Sequence, residues 1–148
     1  MAKKIVEMYW DIGSTNAYFA LHLIKPILER TDSELILHPY NLGFAFRARN
    51  YVLMEEPSIK IENRKVDLAR WTKKYSLDFK FPSEFPIKTS RTLRGALAMR
   101  EFNLEIPFIE AIFSEYWEKD NSSIQNYDGM APIVTRLGIN PNEFQDLC

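Results

Sequence analysis

Ser14 is the residue of this chain whose type and position are best suited to chemistry. It follows Gly13 at the point where a strand-like segment, residues 4–10, gives way to a helix-like segment, residues 15–30. The first N–H groups of a helix have no helical acceptor, and the positive end of the helix dipole lies beside them. A hydroxyl at this joint is therefore placed to help bind an anion. The alternative is a purely structural role, because serine is also a common N-cap of helices.

The elements that must position Ser14 are predicted from the patterning of side chains. Residues 4–10 are rich in β-branched and aromatic side chains and predict a first strand, and residues 34–40 predict a second. Apolar residues between the two recur at helical spacing. The three segments predict a parallel β-α-β unit with a right-handed crossover. From Phe44 onwards we expect helices and loops without a further long strand, and residues 55–57 predict an exposed loop. The predicted helices span residues 62–75, 90–102, 105–119, 127–137 and 141–147.

Composition limits the classes of function that fit this chain. Its 148 residues are 46% hydrophobic and 14% aromatic, which is enough for one domain with a sizeable core. The net charge of −1 gives no electrostatic case for binding nucleic acid. There is no apolar run long enough to predict a membrane helix, and the Met-Ala-Lys-Lys start lacks the apolar region of a signal peptide. We therefore expect a cytoplasmic protein that binds neither nucleic acid nor a membrane.

Cysteine and histidine are scarce. The single cysteine, Cys148, cannot form an internal disulfide, and the sequence contains no C-x-x-C motif. We therefore expect no intramolecular dithiol chemistry. His22 and His38 lie far apart in the sequence without further ligands in a metal-binding pattern around them, so we expect no metal site.

The segment around Ser14 also carries a family pattern, in which two aromatic residues are followed by aspartate, an apolar residue and then the serine. The matching residues are Tyr9, Trp10, Asp11, Ile12, Ser14, Tyr18 and Phe19. This pattern resembles the first active-site turn of thioredoxin-like proteins of the DsbA type. More closely, it is similar to the branch that contains 2-hydroxychromene-2-carboxylate isomerases and kappa-class glutathione transferases. Thr15, Asn16 and Ala17 depart from the branch pattern, whereas residues 65–71 and 81–99 contain further matching blocks in the expected order.

The resemblance implies a thioredoxin-like α/β fold with a large helical insertion. Residues 1–43 would form the N-terminal half of the thioredoxin-like domain, and residues 44–148 would form an all-helical insertion domain. The second half of that fold, which includes a strand entered through a cis-proline, is expected to be absent from this chain. Three explanations remain open: a truncated product, a sheet completed by another chain, or elements that this protein does not need.

The resemblance also implies an activity that depends on glutathione. In the family, the serine at the Ser14 position hydrogen-bonds the glutathione sulfur, which reacts as the thiolate. Asn50 and Lys60 have the spacing of two further glutathione contacts, although both also fit solvated loop residues. The implied protein is an isomerase or a transferase that uses glutathione on a small aromatic or electrophilic substrate. Family members are usually dimers, so a homodimer is one option.

Two alternatives to catalysis follow from the same sequence. A chain that keeps the scaffold without its second half can be inactive, because fold alone does not determine function. A two-stranded sheet with an open edge can also be an interaction module that a partner strand completes. Binding to glutathione separates the enzyme from both alternatives.

Overall fold

The chain begins with a parallel β-α-β unit. The computed structural model describes residues 3–148. Strand β1 (Lys4–Trp10) leads through helix α1 (Thr15–Thr31) to strand β2 (Ser33–Pro39). The two strands pair in parallel, from Lys4 opposite Ser33 to Trp10 opposite Pro39. The predicted unit is therefore confirmed, with each boundary within one residue of its expected position.

The chain after β2 consists of helices and loops in the part that the structure describes. Two 3₁₀ turns, Met99–Phe102 and Ser122–Gln125, connect some of the helices. The sheet contains two strands within residues 3–148, in agreement with the expectation of a helical remainder. The helices are α2 (Leu42–Ala48), α3 (Ser58–Tyr75), α4 (Ser90–Ala98), α5 (Glu105–Trp117), α6 (Tyr127–Arg136) and α7 (Pro141–Leu147).

The start of α3 differs from the predicted boundary, because no residue in its first turn is buried. Helix α3 begins at Ser58, four residues before its predicted start, and neither of the two apolar residues there is buried: Ile59 is 76% exposed and Ile61 is half-buried. Helix α2 was not among the predicted helices, because seven residues are too few to establish a period. Its start is instead fixed by the side chain of Asn41, which accepts a hydrogen bond from the N–H of Phe44 at 2.9 Å.

Helix α5 joins the β-α-β unit to the other helices through buried aromatic side chains. Trp10 packs on Phe113 with ring centroids 5.7 Å apart. The indole N–H of Trp117 donates to the carbonyl oxygen of Ile12 at 2.9 Å. Residues before and after position 44 therefore contribute to one buried cluster. The division of the chain into two domains at that position stays a prediction.

The outer edge of β1 has no partner strand within the described residues, and one face of the strand is also open. Ile5 and Tyr9 on this strand are 59% and 68% exposed, whereas Trp10 is buried. Alternate residues of a strand point to opposite faces, so this difference distinguishes an open face from a face that packs on the helices. In residues 3–148, no helix has both the length and the apolar character that crossing a membrane requires.

Candidate active site

Asp11 organises the turn that follows β1. Its side chain is buried, and one carboxylate oxygen accepts the N–H of Gly13 at 2.9 Å. The other oxygen accepts the N–H of Leu42 at 2.8 Å and the hydroxyl of Thr89 at 3.2 Å. Burial raises the pKa of Asp11 above its ordinary value, although these three hydrogen bonds oppose the rise. One side chain thus ties the end of β1 to the starts of α2 and α4.

Ser14 is the N-cap of α1. Its backbone is extended, and its hydroxyl oxygen accepts a hydrogen bond from the N–H of Ala17 at 3.2 Å. Its own N–H donates to the carbonyl of Asp11 at 3.0 Å, which closes the turn. The N–H groups of Thr15 and Asn16 have no hydrogen-bond acceptor among the described residues. The start of α1 therefore offers free donors and the positive end of a helix dipole to an anion.

A cleft of about 320 Å³ opens beside this helix start. Gly13, Ser14, Thr15 and Asn16 line it on the side of α1. The remaining lining residues are mostly apolar or aromatic, so a flat apolar group next to an anionic atom suits the cleft. They are Leu42, Phe46, Tyr51, Leu53, Met54, Ile61, Arg64, Lys65, Phe81 and Phe85.

A buried carboxylate fixes the loop that forms one wall of the cleft. Glu56 has a side chain only 5% exposed, and it accepts hydrogen bonds from the hydroxyl of Tyr51 at 2.5 Å and the N–H of Met54 at 2.8 Å. Arg64 of α3 also pairs with Glu56. The hydrogen bonds from Tyr51 and Arg64 lower the pKa of Glu56 to about 2. The prediction of an exposed loop at residues 55–57 was therefore wrong for Glu56, because its partners come from positions 51 and 64.

The structure places the three predicted site residues differently. Ser14 lines the cleft, whereas Asn50 and Lys60 are not among its lining residues. Asn50 is exposed just after α2 and has a left-handed backbone with φ of 51°. Lys60 is exposed in the first turn of α3, where its N–H donates to the carbonyl of Pro57. Their predicted contact with glutathione stays a prediction.

Arg64 and the aromatic lining were not predicted as site residues. A signal for Arg64 exists in the sequence, because Ile61, Arg64, Lys65 and Leu68 recur at the spacing of one helix face. Phe81 lies outside any regular element, so no period could assign it to the cleft. No group of three or more metal-ligating side chains occurs within residues 3–148.

Known structures share this arrangement of elements. The structure of 2-hydroxychromene-2-carboxylate isomerase matches with a TM-score of 0.79 and 20% sequence identity, over 97% of this chain and 70% of that one. A putative protein disulfide isomerase from Nitrosomonas europaea matches with a TM-score of 0.67 and 16% identity, over 99% of this chain and 70% of that one. At these identities the matches show the fold alone. Among proteins with curated descriptions, none matches the sequence significantly.

The sequence itself matches a family that has the same core. The match is to the DSBA-like thioredoxin domain and extends over residues 5–148, which is nearly the whole chain. Apart from Lys4 at the start of β1, the β-α-β unit, the turn at Ser14 and the helices after β2 are all inside the matched range. The chain therefore belongs to the DSBA-like thioredoxin domain family.

Proposed function

We propose that this protein is a glutathione-dependent isomerase, similar to 2-hydroxychromene-2-carboxylate isomerase, or a glutathione transferase. The observation that carries this proposal is the place of Ser14, which caps α1 and lines a cleft with mostly apolar walls. The isomerase among the similar structures supports the first of the two activities. The strand–helix turn of this chain contains no cysteine, which argues against the dithiol chemistry of other proteins with this fold.

The start of α1 fits a thiolate. A hydroxyl oxygen can accept one hydrogen bond and donate its own proton at the same time. Ser14 accepts from Ala17, so its proton remains available for an anionic sulfur. The free N–H groups of Thr15 and Asn16 add two donors beside it. A hydroxyl donor at a helix start contributes about 1–2 kcal/mol to the anion, which lowers a thiol pKa by about one unit.

The walls of the cleft suit an aromatic acid. When bound, glutathione supplies a sulfur that adds to a conjugated carbon and leaves again in the isomerase, or stays on the substrate in the transferase. The rings of Phe46, Phe81 and Phe85 offer apolar surface for an aromatic substrate. The guanidinium of Arg64, held in place by Glu56, is a cation in the same lining and can pair with a carboxylate.

Other parts of this proposal rest on the family resemblance. We propose that Asn50 and Lys60, both exposed, contact the peptide portion of glutathione, with Lys60 pairing with a carboxylate. A homodimer and a cytoplasmic location belong to the same proposal. Reduced glutathione is abundant in that compartment, which keeps thiols reduced.

A thiolate titration tests the role of Ser14. Retention on immobilised glutathione first establishes binding, and thiolate absorbance against pH then gives the pKa of the bound thiol. We expect Ser14→Ala to raise this pKa by about one unit, because the hydroxyl donor is lost. Ser14→Thr keeps the hydroxyl and should titrate like the unchanged protein.

Loss of a helix cap is a separate effect of Ser14→Ala and needs its own control. Asn140 caps α7 by accepting from the N–H groups of Asn142 and Glu143, and it does not line the cleft. Asn140→Ala should therefore cost a similar amount of stability, about 1 kcal/mol, without changing the thiol pKa. An unchanged titration in Ser14→Ala would leave Ser14 as a helix cap only, and failure to bind glutathione would reject the proposed function.

The open side of β1 supports a second candidate function. Ile5 and Tyr9 are exposed on a strand whose outer edge has no partner within residues 3–148. Such an edge can accept a strand from another protein, which would make this chain an interaction module. Retention on immobilised glutathione distinguishes the two candidates, because the enzyme must bind glutathione and an interaction module need not.

A further inference from the structure

A groove of about 890 Å³ adjoins the cleft at Ser14. It is the larger of the two cavities, and residues from α2, α4 and the loop between α3 and α4 line it. The residues that line both cavities are Gly13, Leu42, Phe46 and Leu53. A ligand in the groove would therefore lie next to the candidate active site without occupying it.

Four cationic side chains line this groove. Arg47 comes from α2, Lys88 from the loop, and Arg91 and Arg94 from one face of α4. All four are exposed, and within residues 3–148 none of them has a carboxylate oxygen within 4.0 Å. Other cations of the chain do form such pairs, as Arg64 does with Glu56. The groove thus collects positive charge that protein carboxylates do not neutralise.

The two acidic residues in the lining do not change this balance. The buried carboxylate of Asp11 already accepts hydrogen bonds from Gly13, Leu42 and Thr89. Glu84 accepts a hydrogen bond from the side chain of Gln125 at 3.0 Å. Two carboxylates therefore face four cations, and neither forms an ion pair with any of them within the described residues.

One of the cations is held in a fixed orientation. Arg91 donates to the side-chain oxygen of Asn126 at 2.6 Å, and its guanidinium lies 5.6 Å from the centre of the Tyr127 ring. A cation that neighbouring side chains already orient loses less conformational freedom when it binds a ligand. The remaining N–H groups of a guanidinium can then hydrogen-bond the oxygens of a carboxylate or a phosphate.

We propose that the groove binds a small polyanion that carries at least two carboxylate or phosphate groups. Glutathione itself carries two carboxylates and falls in this ligand class, so the proposal deepens the proposed function by naming a binding surface that the four cations provide and that does not depend on Ser14. Its ligand pairs with Lys88, Arg91 and Arg94, and with Arg47 across the groove. The shared lining residues bring this ligand beside the Ser14 cleft, so it can be a second part of a substrate or a separate ligand.

Isothermal titration with two probes, tripolyphosphate and citrate, tests this proposal at low ionic strength. We expect one-to-one binding that weakens as salt rises to about 0.15 M, where the Debye length falls to about 8 Å. Lys88→Gln and Arg94→Gln should each weaken binding about tenfold, because each removes a charged hydrogen-bond donor. The control is Arg70→Gln, which removes one positive charge from an exposed position on α3 outside the groove.

The outcomes separate the ligand classes. Tighter binding of tripolyphosphate supports a phosphate-bearing ligand, and tighter binding of citrate supports a polycarboxylate. Two results would overturn the proposal: no binding of either probe, whether or not an oligonucleotide binds, or an equal loss of affinity in Arg70→Gln. Because Ser14 takes no part in this titration, its result is independent of the test with glutathione.

Discussion

Asp11→Asn should destabilise the turn that carries Ser14. The two carboxylate oxygens of Asp11 accept three hydrogen bonds, from Gly13, Leu42 and Thr89. An asparagine keeps one oxygen and turns an NH₂ group towards at least one donor, which leaves one or two of these donors unpaired. A buried unpaired donor costs about 1–3 kcal/mol, and removing a buried charge returns part of that cost. We expect the free energy of unfolding to fall by about 2 kcal/mol at neutral pH, as measured by urea denaturation.

The pH dependence of this loss tests the reasoning about burial. The pKa of Asp11 is raised in the folded protein above the value of 3.8 for an isolated side chain, chiefly by burial. Between these two pKa values the folded state binds more protons than the unfolded state, so the stability contributed by Asp11 falls as pH rises. Asparagine does not titrate. The stability difference between the unchanged protein and Asp11→Asn should therefore shrink as pH rises through the folded pKa of Asp11.

An exposed aspartate provides the control for both measurements. Asp67 lies on α3 and is exposed, so Asp67→Asn should change the unfolding free energy little at any pH. A stability difference for Asp11→Asn that grows as pH rises would refute the reasoning. That result would mean that the hydrogen bonds from Gly13, Leu42 and Thr89 outweigh burial and lower the pKa of Asp11.

Two further predictions concern the helices behind the site. Burial alone would raise the pKa of Glu115, but hydrogen bonds from Asn121, Lys119 and Arg136 lower it to about 2. The lowered pKa contributes about 3 kcal/mol of stability, which should be present above pH 4.5 and disappear as pH falls towards 2. Acid denaturation curves should show that Glu115→Gln lacks this contribution. Gly129→Ala should lower the unfolding free energy by more than about 2 kcal/mol in thermal unfolding, because the new Cβ would lie 2.0 Å from the carbonyl oxygen of Ser123. The matched change Gly43→Ala, whose nearest atom is 3.4 Å away, should cost much less, and equal losses would contradict the argument.

The parts of the fold that depend on neighbours in sequence could be predicted. Residues 4–10 and 34–40 carry enough strand-forming side chains to be identified, and the helix between them has a clear apolar period. Helix α2 is too short for such a period, and no residue in the first turn of α3 is buried. These two elements depend on capping and tertiary packing, which the pattern of apolar residues does not record.

The candidate site could be predicted only where one residue and its local neighbours determine the geometry. Ser14 follows a turn and starts a helix, so its role as an N-cap follows from adjacent residues. The contact between Thr89 and Asp11 and the pair formed by Arg64 and Glu56 join separate elements. No local pattern specifies such partners, because the fold must first bring the elements together.

Asp11 connects the two proposed binding sites because it fixes residues that both cavities share. Gly13 and Leu42 line the Ser14 cleft as well as the adjoining groove, and both donate their backbone N–H groups to Asp11. Thr89, the third donor, lines the groove only. A change in the position of this carboxylate would therefore move the walls of both cavities together. Asp11 acts as a positioning residue in this arrangement, since it supports the turn before Ser14 through its buried hydrogen bonds and does not itself line the cleft.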